Sequence, residues 1–240
     1  MDNDYQIIQN KDTKSLYTIQ LNNYSLSNRE ALVKSITKTK IILGATVTNN
    51  YKTITFNANS IYIQNQIQKQ NQIQKQNQNP ISHNTLLLIL YNLSTQLKYL
   101  INNYNKTFIG YNPKNILVID ENKFIYLPNN EELHDIEDNN ITITYPFSQQ
   151  DFFMSPEMFL IKEIPSKTHF KTTYYSLACL IIYYLQQNNP KQQHNQETDI
   201  SQYKIEDVQK NLLPIKGTKI YFLLIRCLTN NIENRCILYI

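Results

Sequence analysis

Short apolar runs punctuated by polar turns open the chain. Tyr5–Gln9 and Leu16–Leu21 are β-branched and aromatic, and Asn10-Lys11-Asp12 between them is a turn signal, so the pattern predicts two strands. Ser27 with Glu30 three positions later fits a capping box, and Leu32, Val33 and Ile36 supply an apolar stripe, which predicts a short helix over 28–37. Ile41–Val47 and Tyr51–Phe56 flank Thr48-Asn49-Asn50 as a hairpin. The period then lengthens. His83–Ile101 carries Leu86, Leu87, Ile89, Leu90, Leu93, Leu97, Leu100 and Ile101, a helix with a wide apolar face. Ile116–Ile119 and Phe124–Leu127 read as a second hairpin, and 128–150 as acidic and irregular with a short strand at Ile141–Thr144. Tyr174–Leu185 is apolar nearly all round, the mark of a buried helix. Lys204–Asn211 is a weak helix and Lys219–Leu228 a strong one.

Two polar stretches interrupt this order. In 64–78, Gln64-Asn65-Gln66-Ile67-Gln68-Lys69 recurs as Gln70–Lys75. One Ile per six residues cannot bury a face, so the repeat reads as an insertion in a surface connection. Gln186–Gln202 is a second polar connection. The expected organisation is a small β-rich unit with one helix over 1–60, a low-complexity Gln/Asn insertion over 61–80, and a larger, mainly helical unit over 81–240.

Composition narrows the classes. With 240 residues the chain can bury a proper core. A net charge of +4 without a dense basic stripe argues against a nucleic-acid partner. The longest apolar runs, Thr85–Leu93 and Leu177–Leu185, are too short to span a bilayer, and the polar start Met1-Asp2-Asn3-Asp4 lacks a signal-peptide core. Cys179, Cys227 and Cys236 lack metal spacing and read as free thiols in a reducing compartment. A cytoplasmic or otherwise intracellular location, a host cell or virion included, is the expectation. The Asn-, Ile- and Lys-rich composition is like that of a giant DNA virus or AT-rich protist protein.

Five fragments in order resemble the protein kinase superfamily. Thr85–Ile101 resembles the long helix before the catalytic loop. Asn112-Pro113-Lys114-Asn115-Ile116-Leu117 resembles the second half of the signature His-Arg-Asp-Leu-Lys-Pro-x-Asn-Ile-Leu. Met154-Ser155-Pro156-Glu157 resembles the Ala-Pro-Glu element, and Tyr175-Ser176-Leu177-Ala178 the Trp-Ser-Leu-Gly start of the buried helix. Arg226-Cys227-Leu228 with Arg235 resembles the closing Arg-Cys-Leu…Asp-Pro-x-x-Arg element. The resemblance implies an α+β, two-lobed kinase-like fold, with a small β-rich N-lobe carrying one helix and a larger α-helical C-lobe. It also implies an ion pair between Glu157 and Arg235 and a core role for Phe108.

The same alignment shows what chemistry is missing. Kinases position a nucleotide and neutralise its charge with a Gly-rich loop, a strand Lys backed by a helix Glu, a catalytic Asp, and an Asn and Asp that hold magnesium. Here no Gly precedes Gly44. Tyr17-Thr18-Ile19-Gln20 places Gln20 at the strand Lys position. Phe108-Ile109-Gly110 stands where His-Arg-Asp belongs, so Gly110 takes the catalytic Asp position and Asn112 that of the loop Lys. Glu30 reads as a helix cap ahead of an ion-pair Glu. Asn115 reads equally as a magnesium ligand or a loop hydrogen-bonder. Leu127-Pro128-Asn129-Asn130 offers no carboxylate at the magnesium Asp position; Glu131, Glu132 and Asp135 nearby read as a solvated acidic loop, the alternative being that one of them rescues metal binding. Thr173 replaces the Asp that braces the loop. Thr18, Gln20 and Leu117 would line a vestigial nucleotide slot.

The resemblance therefore implies a degenerate kinase, a pseudokinase that regulates or scaffolds by binding a protein partner. No cofactor is expected, with ATP and magnesium retained only if residual binding survives. The alternatives are a divergent active serine/threonine protein kinase and a structural subunit of a larger assembly.

Overall fold

The computed structural model describes residues 4–63, 82–148, 152–187 and 212–237. The Gln/Asn repeat, most of the Gln186–Gln202 connection and the Lys204–Asn211 helix lie outside them. The described chain is a mixed α+β structure with small antiparallel sheets and five α-helices.

The first sheet runs β1-β2-β4-β3, from β1 (Tyr5–Gln9), β2 (Leu16–Leu21), β3 (Thr46–Val47) and β4 (Thr53–Asn57). All its pairings are antiparallel, with Tyr5 opposite Leu21 and Tyr17 opposite Phe56. The two-residue period puts Ile19, Leu21, Ile54 and Phe56 inside, while Thr18, Gln20 and Thr55 stay half-exposed on the other face. Helix α1 (Leu26–Thr37) crosses from β2 to β3 and lays Leu32, Val33 and Ile36 on the buried face. Two expectations need correction here. The N-cap is Ser25, whose hydroxyl accepts from Asn28 N–H at 3.2 Å, and not Ser27. Glu30 does not cap the helix; it pairs with Lys34 one turn on, at 2.6 Å. The hairpin before β4 is also shorter than expected, because Ile41 and Ile42 turn inward as buried loop residues.

The block expected as insertion begins with ordered chain: β5 (Ile61–Ile63) pairs with β7 (Ile116–Ile119), which pairs with β8 (Lys123–Tyr126). Helix α2 (His83–Tyr104) starts at Ser82, whose Oγ accepts from Thr85 N–H at 3.0 Å. It ends where Asn105 turns left-handed at φ 48°. Strand β6 (Lys106–Phe108) pairs with β9 (Leu133–Asp135), and β10 (Asn140–Ile143) with β11 (Ser166–His169). Helices α3 (Pro156–Phe159), α4 (Thr172–Gln187) and α5 (Lys219–Cys227) complete the set. Among the described residues, no helix is long and apolar enough to cross a membrane.

Two large hydrophobic clusters share one wall, the β7–β8 hairpin. Ile116, Val118, Phe124 and Tyr126 face the cluster built on α2, α4 and α5. Leu117, Ile119, Ile125 and Leu127, one residue out of phase, face the cluster built on the first sheet and α1. A smaller third cluster gathers Ile109, Ile141, Ile143, Phe152, Met154 and Met158. The hairpin thus carries the loop that precedes it, residues 108–115, to the meeting point of all three.

Candidate functional site

Loop 108–115 leaves β6 at Phe108 and re-enters the fold through a single 3-10 turn at Pro113–Asn115. Asn112 caps this turn, its Oδ1 accepting from Lys114 N–H at 2.9 Å. Phe108 is fully buried and meets Tyr111 and Tyr126 edge-on, at centroid separations of 5.3 and 4.9 Å. The Tyr126 hydroxyl then closes the loop from within. It donates to Gly110 O at 3.0 Å and accepts from Asn112 N–H at 3.1 Å. Thr173, on α4, braces the loop's entrance: its hydroxyl donates to Phe108 O and pairs with that of Thr107 at 2.9 Å.

A second segment seals the outer side. Phe153 N–H donates to Tyr111 O at 2.9 Å in an antiparallel bridge. Ser176 Oγ, from α4, accepts from Tyr111 N–H at 2.8 Å and donates to Phe153 O. Gly110 lies beneath this bridge. A Cβ at Gly110 would stand 2.7 Å from Phe153 O, 3.2 Å from Ser176 Oγ and 3.5 Å from Phe152 Cβ. Any side chain there collides with a carbonyl that is itself held by a hydrogen bond. The glycine permits a close approach of two backbones.

The residues expected to line a nucleotide slot are engaged elsewhere. Thr18 pairs with Thr55 across the sheet, Oγ1 to Oγ1 at 3.0 Å. Gln20 Nε2 donates to Asn22 Oδ1 at 2.8 Å. Leu117 is wholly buried between Ile63 on β5 and Ile125 on β8. A cavity of about 340 Å³ lined by Asn130, Glu131, Leu133, His134, Asp135, Glu137, Thr142, Thr144 and Tyr145 touches none of these, nor Asn115.

Asn115 is buried, and its side-chain Nδ2 lies 3.4 Å from Glu132 Oε2. Glu132 is not a solvated residue of an acidic loop, as its neighbourhood in sequence suggests. It caps the 3-10 turn Asn130–Glu132 in reverse, accepting from Asn129 N–H at 2.9 Å and Asn129 Nδ2 at 2.7 Å. Burial pushes its carboxyl above the ordinary range, and the bonds from Asn129 and Asn115 only partly offset this. Asn129-x-x-Glu132 is itself a capping-box spacing, the signal by which this residue was recognisable. Among the described residues, no group of three or more His, Cys, Asp or Glu side chains is placed to hold a metal ion.

Glu157 and Arg235 are brought together. Arg235, 1% exposed, gives Nη1 to Glu157 Oε1 and Nη2 to Oε2 at 3.0 Å, a two-pronged pair. Its Nε donates to Thr229 O at 2.9 Å, and its guanidinium lies 4.9 Å from the Tyr175 ring centroid. The chain matches no known family model, and no curated protein matches it.

Proposed function

We propose that this chain is a degenerate, kinase-like protein that has given up phosphoryl transfer and works by binding a protein partner. The observation that carries the reading is the burial of Gly110 under the Phe153 carbonyl. A hydroxyl acceptor needs a base and an open approach at this position; the loop offers neither.

Other observations support the same reading. The strand–strand–helix–strand–strand order of 5–57, followed by a helix-rich segment, agrees with a small and a large kinase-like lobe. The Glu157–Arg235 pair and the Ser176 and Thr173 braces keep the loop's frame. The groups that would face a polyphosphate are neutral and engaged: Gln20 with Asn22, Thr18 with Thr55. The residues present do not fit a magnesium–nucleotide complex, because Asn115 and Glu132 supply a single carboxylate and already bond to one another. That contact is also what favours the second reading, a divergent kinase in which Glu132 replaces the missing magnesium carboxylate. A structural subunit remains the form this binding role takes if the protein copurifies at fixed stoichiometry.

Thermal-shift titration with millimolar ATP, with and without magnesium, separates the first two readings. No shift in either condition is expected. A magnesium-dependent shift together with self-phosphorylation would establish the divergent enzyme.

A further inference from the structure

The segment that follows β8 makes a set of bonds that the loop chemistry does not use. Pro128 O accepts from the Tyr24 hydroxyl. Asn130 then binds three residues at two places in the first-sheet assembly, the start of α1 and the chain just before β1. Its Oδ1 accepts from Ser25 N–H at 3.0 Å and Asn28 Nδ2 at 2.9 Å. Its carbonyl accepts from Asn28 Nδ2 at 3.2 Å. Its N–H donates to Asp4 Oδ2 at 2.8 Å. More than 100 residues of chain separate Asn130 from each of these partners.

A second cross-tie lies behind it. Gln96, fully buried on α2, acts as a missing strand would toward the edge of β8. Its Nε2 donates to Tyr126 O at 2.8 Å, and its Oε1 accepts from Tyr126 N–H at 2.9 Å. The same Nε2 lies 3.4 Å from Ser35 Oγ on α1.

We propose that residues 128–132 form a built-in strap, with Asn130 as its pin, that holds the first-sheet assembly and the helical assembly in one fixed arrangement. The two clusters share the β7–β8 hairpin as a common wall, and α1 also packs on α2 with Ala31 buried in the helical cluster. Apolar packing permits one element to slide on another, and the strap adds direction: it fastens the chain just beyond β8 to the N-terminal end of α1, and Gln96 fastens the end of β8 to α2. Directional bonds to Asn130 Oδ1 from both a backbone N–H and a side-chain amide hold α1 in position and in rotation. Glu132 stiffens the strap from inside by tying Asn129 to Asn115. The result is a rigid presenting surface whose shape does not depend on a ligand between the two assemblies. This holds whether or not the chain transfers phosphate.

The test is a distance measurement between spin labels at Lys52→Cys and Lys219→Cys, two exposed positions on opposite assemblies, in a Cys236→Ser background. Cys179 and Cys227 are buried and out of the label's reach. One narrow distance, unchanged by millimolar ATP and magnesium, is expected of the otherwise native chain. Asn130→Ala should broaden the distribution. It should also speed hydrogen exchange at the Ser25 amide and within 128–132 by about tenfold, the scale of one lost hydrogen bond, while 219–227 keeps its rate. Asn130→Asp keeps the acceptor for Ser25 and Asn28 and should restore the narrow distance. A broad distribution in the native chain, or a narrow one in a folded Asn130→Ala protein, would overturn the strap. If Asn130→Ala does not fold, Asn28→Ala, which removes only the side-chain arm, gives the same reading at smaller amplitude.

Discussion

Arg235 closes on Glu157 across 78 residues of chain, with Nη1 on Oε1 and Nη2 on Oε2. The pair fastens the short helix α3 to the chain's last described turn, and Tyr175 on α4 floors it. Burial alone would raise the Glu157 carboxyl; the bonds and charge of Arg235 outweigh it, and the carboxyl titrates below its ordinary value.

Removal of the arginine should therefore be costly. Arg235→Ala is expected to lose about 3 kcal/mol, the lower end for a broken buried pair, because the Glu157 side chain stays 26% exposed. Arg235→Lys should recover only part of this, since an ammonium cannot bridge both oxygens. Urea unfolding at pH 7 measures both.

The same pair fixes a pH dependence. A carboxyl lowered in the folded state contributes stability that is fully present above its unfolded value of 4.5 and is lost as pH falls through the folded value. The stability advantage of the native chain over Glu157→Gln should shrink below pH 4.5. An advantage that stays constant from pH 7 to pH 3 would contradict the pairing.

Glu132 should behave in the opposite sense. Its carboxyl is raised by burial, so the folded state holds the proton longer than the unfolded chain does. Its contribution is greatest at low pH and falls as pH rises from 4.5 through the raised folded value. Glu132→Gln removes the titration, though its amide N–H group opposes donors from Asn129 and Asn115. The difference between native and variant stability should slope downward with pH across this window, and a flat difference would count against the buried carboxyl.

Gly110 gives the sharpest steric expectation. Gly110→Ala sets a methyl 2.7 Å from Phe153 O, so the bridge to Tyr111 must part or the loop must shift. A loss of about 1–3 kcal/mol is expected by thermal or urea unfolding. Gly110→Asp, with or without Gln20→Lys, should destabilise at least as much and should not confer phosphate transfer, because the Phe153 carbonyl lies where a side chain would begin.

Much of the frame could be read from residues alone, for reasons visible in particular elements. Strands β1 and β2 are rich in β-branched and aromatic residues on either side of a turn signal, and α2 carries six wholly apolar core positions at helical spacing between an N-capping Ser82 and a left-handed Asn105. The start of α1 misled because Ser27 and Glu30 imitate a capping box, while Ser25 caps next to an exposed Leu26 that breaks no pattern. Strands β9 and β11, Leu133-His134-Asp135 and Ser166-Lys167-Thr168-His169, carry no apolar period; they are strands because β6 and β10 offer them an edge. Gly110 could be seen as a missing acid, but its burial depends on where Phe152 and Phe153 arrive, 42 and 43 residues later, and no local pattern encodes that. Asn130 looked like ordinary loop composition, and only its partners give it a role.

Phosphate transfer itself is the most direct measurement. The full chain is incubated with magnesium and ATP labelled at the γ-phosphate, alone and with a generic basic protein substrate, beside an Asn115→Ala variant. Incorporation no higher than in a heat-inactivated control is expected for both proteins. Label incorporated by the native chain and abolished by Asn115→Ala would show that the loop still carries a reaction, and would contradict the reading of 108–117 as structure alone.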